Sequence, residues 1–158
     1  MIDLNTMNLL GIDVGFSLLR PTTGMAWSVL GAADSAVAMA DWKDRRQRLP
    51  STQSFALAAI DGPLVSPYAP QTIKRGCESV FIRRPFHNRC KPGCSHFGTG
   101  LKLRMAALDT VEQIRLRLDP QLNSVRYGII KGLAVVEAFP NAFLGVMVPD
   151  DVHRLRPT

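Results

Sequence analysis

A chain of 158 residues with 46% apolar and 20% charged residues can bury a core, which excludes an intrinsically disordered chain. No apolar run approaches the roughly 20 residues of a membrane helix, and MIDLNTMNLL lacks the basic lead and cleavage site of a secretory signal. The expected location is therefore cytoplasmic, with no membrane partner. The net charge of +6 suits a polyanionic partner, and three cysteines, an odd number, fit reduced thiols or metal ligands better than a disulfide framework.

In chain order, residues 8–14 read as a short, continuous apolar strand that ends in Asp13 and leads to Gly15. RPTTG is turn chemistry, and residues 25–30 form a second strand. GAADS is a further turn before a third strand at 36–42, so the first three strands predict an antiparallel meander. KDRRQRLPSTQS is basic and polar, a loop or a short helix. Residues 55–60 are a fourth apolar run, which again ends in an acid, Asp61. Residues 64–99 lose periodicity and become rich in Pro, Gly, Cys, His and Arg, a long loop with a short helix near 71–80. Over 100–118, Leu103, Ala106, Ala107, Leu108, Val111, Ile114 and Leu118 recur near a 3.6-residue period and predict a helix, ended by Asp119-Pro120. Residues 132–139 form a fifth strand with Glu137 inside it. The organisation expected is one α/β domain over 1–158 with a loop insertion at about 64–100.

Three acids thus stand at or near the C-terminal ends of three apolar strands. Ligands of open α/β sheets gather at that end. If the strands are neighbours, Asp13, Asp61 and Glu137 converge, and converging carboxylates repel unless they share protons or a cation. Oxygen ligands suit Mg²⁺ or Mn²⁺, and two such ions about 4 Å apart support phosphodiester hydrolysis. In that arrangement Asp13 bridges the ions while Asp61 and Glu137 each hold one. Asp13-Val-Gly and Asp61-Gly-Pro are also good turn sequences in their own right. Glu137 is not a turn former, and a buried charge needs a partner.

In this order, GIDVG, AAIDGP, RGCE, the KPG of RCKPG and VEAFP resemble the domain-of-unknown-function family 429, over about residues 9–148. The resemblance implies a nuclease with an RNase H-like fold. Its sheet has five strands, strands 1 to 3 antiparallel and strands 4 and 5 parallel to strand 1, with helices on both faces. It implies that Asp13, Asp61 and Glu137 are the acids of strands one, four and five, and that Arg75 and Glu78 belong to a loop segment facing them. Two departures stand out. No clear acid occupies the helix position beyond Asp44, and the expected C-terminal helix after strand five is missing.

The segment FHNRCKPGCSHFGTG gathers His87, Cys90, Cys94 and His96 in an H-x2-C-x3-C-x-H spacing, a possible zinc set that matches no common pattern. Buried thiols and surface imidazoles give the same residues a structural reading. Arg75, Arg83, Arg84, Arg89 and Lys91 could hold phosphates of DNA or RNA, or simply solvate the loop. Two rivals to a metal-dependent nuclease remain: a degenerate nucleic-acid-binding module on the same scaffold, and an ATP-binding protein. The second follows from GIDVGFS, which resembles the first phosphate-binding turn of the actin and sugar-kinase superfamily.

Overall fold

A computed structural model describes residues 7–50, 55–65, 75–90, 94–117 and 134–147. The chain divides into two compact units, 1–64 with 103–138 and 65–102 with 139–158. The first holds a five-stranded mixed sheet of order β3-β2-β1-β4-β5. Its strands are β1 (Leu9–Asp13), β2 (Thr23–Val29), β3 (Ala32–Ala38), β4 (Leu57–Asp61) and β5 (Ala134–Ala138). The first three form the expected antiparallel meander, and β1, β4 and β5 run parallel.

Alternation along β1 and β4 decides which face is core. Leu10, Ile12, Ala58 and Ile60 are buried, whereas Leu9, Gly11, Leu57 and Ala59 on the other face are half-buried. Helix α4 (Gly98–Arg117) supplies Ala107 and Ile114 to the core cluster, with Leu103, Ala106 and Val111 packed against it. These positions recur at three- and four-residue intervals, so one stripe of the helix meets Leu10, Ile12 and Ile60.

The third strand starts at Ala32 rather than at residue 36. Leu30 and Gly31 both have positive φ, 51° and 82°, the signature of a two-residue primed turn, so Val29 pairs directly with Ala32. AADS reads as a turn because β3 is an exposed edge strand that needs little apolar sequence. Trp42, expected in that strand, opens helix α1 (Trp42–Arg48) instead. The Asp41 carboxylate caps α1 by accepting the Asp44 N–H at 3.0 Å, and Arg45, Arg46 and Arg48 suit its negative end.

The second unit contains α2 (Gly76–Phe81), α3 (His87–Cys90), the first residues of α4, and α5 (Pro140–Met147). The expected long loop is thus partly helical. Phe81 ties the unit together, edge-to-face with Phe86 at 5.8 Å and Phe139 at 5.7 Å. The expected absence of a helix after strand five is corrected. PNAFLGVM forms α5, with Pro140 at the first helical position, where its missing N–H costs nothing. Among the described residues, no helix is long and apolar enough to cross a membrane.

Candidate active site at the carboxyl ends of the parallel strands

Parallel pairing sets Asp13 directly beside Asp61. Adjacent strands lie about 4.8 Å apart, so these side chains leave one face of the sheet as neighbours. On the other side of β1, Asp13 pairs with Gly24, and a Cβ there would sit 3.5 Å from the Asp13 Cβ. A glycine at this position therefore leaves that flank of the carboxylate uncovered. Asp13 is exposed and Asp61 half-buried. The salt bridges Arg48–Asp44 and Arg75–Glu78 involve neither.

Asp61 sits half-buried beside like charges. Burial, then Asp13, then Glu137 disfavour its ionised form and push its pKa from 3.8 up to about 6. Glu137 is close enough to contribute, but its register partner is Ile60. Alternation therefore starts its side chain on the core face, one residue before the level of the aspartate pair. Its Oε2 accepts the Leu64 N–H at 2.9 Å, in the segment that leaves β4. The three acids come to neighbouring strand ends as expected, yet they do not close into one ligand shell. Among the described residues, no three His, Cys, Asp or Glu are gathered to hold a metal ion.

Residues 14–22 connect Asp13 to β2, and this loop is firmly held. A side chain on Gly15 would collide with the Thr22 backbone, so the neck is as narrow as a glycine permits. Arg45, only 1% exposed, fastens it from below. Its NH2 donates to the Gly15 carbonyl at 3.2 Å and to Thr23 Oγ1 at 3.1 Å. Its NH1 donates to Thr110 Oγ1 at 2.8 Å and to Gln113 Oε1 at 3.2 Å on α4. Four neutral oxygens thus solvate a buried cation. Desolvation lowers its pKa, against the opposing pull of Asp109 and Asp41, and its Nε has no partner among the described residues. Sequence reasoning missed Arg45 because KDRRQR reads as surface. The available signal was the helical spacing of Trp42, Arg45 and Leu49, which places the arginine on the buried stripe.

The remaining expected residues lie in the second unit. Arg75 pairs with a carboxylate three residues on, its Nε 2.9 Å from Glu78 Oε1. The buried Glu78 also accepts the backbone N–H of Arg75 at 3.2 Å and of Ser95 at 3.1 Å. Burial opposes its ionisation, but the bonds from Ser95 and Arg75 outweigh it and lower the pKa. Glu78 is therefore a structural anchor of this unit. Arg83 and Arg84 are exposed; the Arg89 side chain and Lys91 lie outside what is described. His87 is exposed, Cys90 buried, and Cys94 and His96 half-buried; among the described residues they are not gathered as a metal-binding group. His96 stacks edge-on with Phe97 at 4.8 Å, and its buried Nδ1 has no partner among the described residues.

No family model, curated protein or solved structure matches this chain.

Proposed function

We propose that the protein is a metal-dependent nuclease of the RNase H-like kind, related to the family whose motifs it resembles, and that it cleaves phosphodiester bonds at the Asp13–Asp61 pair. The observation that carries this reading is the direct register of two aspartates at parallel strand ends, one of them half-buried beside like charges. Two neighbouring carboxylates offer the oxygen donors that Mg²⁺ or Mn²⁺ selects. Asp13 and Asp61 would hold the ion. Glu137 would join them after releasing the Leu64 amide. When bound, such an ion supplies Lewis-acid stabilisation of the charge developing on a scissile phosphate. The net charge of +6 favours a polyanionic substrate.

A second reading, a nucleic-acid-binding module without catalysis, is favoured by the position of Glu137 on the other face. Cleavage decides between them. Single- and double-stranded DNA, RNA and hybrids are incubated with the protein and Mn²⁺ or Mg²⁺. The nuclease reading expects one class to be cut, and Asp13→Asn to abolish cutting while leaving the circular dichroism spectrum unchanged. Survival of every substrate would reject catalysis.

A further inference from the structure

The 14–22 loop carries an unusual exterior. Phe16, Leu18 and Leu19 are 51%, 66% and 91% exposed, and Arg20 beside them is exposed. Neighbouring apolar side chains at a loop tip have a cost in water, and here the loop cannot fold them away. Ser17 Oγ accepts the N–H groups of Leu19 and Arg20 at 3.3 and 3.0 Å, and the Ser17 carbonyl accepts the Ala40 N–H at 2.9 Å. Below, Arg45, Thr23 and the Gly15–Thr22 approach clamp the neck. The tip is thus pre-organised with its apolar residues outward. It springs from Asp13 on one side and from Thr23, next to Gly24 opposite Asp13, on the other. Both ends of the loop thus lie beside Asp13 in the sheet.

We infer that this loop is a wedge for unpaired nucleic-acid bases, with Phe16, Leu18 and Leu19 packing on base faces and Arg20 on the adjoining phosphate. The inference rests on the nuclease reading and names its substrate class: single-stranded or locally opened nucleic acid. Three side chains on one short loop are too small a surface for a stable second copy, which needs about 800 Å² per partner. A lipid surface calls for a cluster of cations around the apolar tip, and this loop offers one arginine. Apolar and aromatic faces beside a single cation are what successive bases and a phosphate need.

The test is fluorescence anisotropy of labelled oligothymidylate and of a hairpin duplex with the full chain, in Ca²⁺. Phe16→Ala and the pair Leu18→Ser with Leu19→Ser are compared with wild type, and their melting curves confirm folding. The expected result is tighter binding of the single strand by wild type. Each variant should weaken it about tenfold, the size of one lost stacking contact, and leave duplex binding unchanged. Wild-type binding matched by both variants would overturn the wedge and leave the nuclease reading standing. Failure of wild type to bind either probe would overturn the nuclease reading and the wedge with it. A change in sedimentation or in vesicle binding, without a change in single-strand binding, would reassign the tip to self-association or to lipid.

Discussion

Asp61 is protonated more readily in the folded protein than in the unfolded chain, because burial, Asp13 and Glu137 all oppose its charge. Between pH 3.8 and about 6 the native state therefore binds more protons. Linkage then requires this group's contribution to stability to fall as pH rises through that window. Asp61→Asn removes the cost, so it should raise the melting temperature at pH 7 and change it little near pH 4. Thermal melts at the two pH values check this, and a variant less stable than wild type at pH 7 would show that the carboxylate has a native partner. Arg45 predicts the opposite sign. Arg45→Ala leaves a cavity and four oxygens without their donor, and should cost about 2–4 kcal/mol in urea unfolding. Arg45→Lys should recover little, because one ammonium cannot span donors spread over a planar fork.

At the level of elements, the β2–β3 turn holds a bulky residue where φ is positive. Leu30, with φ 51°, is 79% exposed, so little packing offsets its strain. Leu30→Asn would give the Asn-Gly pair that this turn favours, and should stabilise by about 1 kcal/mol in equilibrium unfolding. β1, β4, β5 and α4 were legible in the sequence, because buried strands and a long amphipathic helix declare themselves through apolar runs and period. The start of β3 was not, since an exposed edge strand has no apolar pattern to read. α2 overlaps the short helix expected near 71–80, but α3, of four residues, was not legible, being shorter than the window in which a helical period can be recognised.

Across the whole molecule, the site was legible in its residues and less so in its geometry. Asp13 and Asp61 each close an apolar run, and neighbouring parallel strands make them partners. The face taken by Glu137 depends on pairing with Ile60 rather than Asp61, a one-residue register choice that composition does not encode. The same limit hid Arg45, whose partners Gly15, Thr23 and Thr110 are brought together only by the fold. If a cation draws the strand ends together, Glu137→Gln should weaken its binding less than Asp61→Asn does, because Glu137 stands back from the pair. The central claim, that Asp13 and Asp61 jointly take a divalent cation, is tested most directly by titrating the full chain with Mn²⁺ and following free Mn²⁺ by electron paramagnetic resonance at neutral pH. The account predicts saturable binding by wild type that is lost in both Asp13→Asn and Asp61→Asn, with the fold intact. Binding by either variant at wild-type strength, or none by wild type, would contradict it.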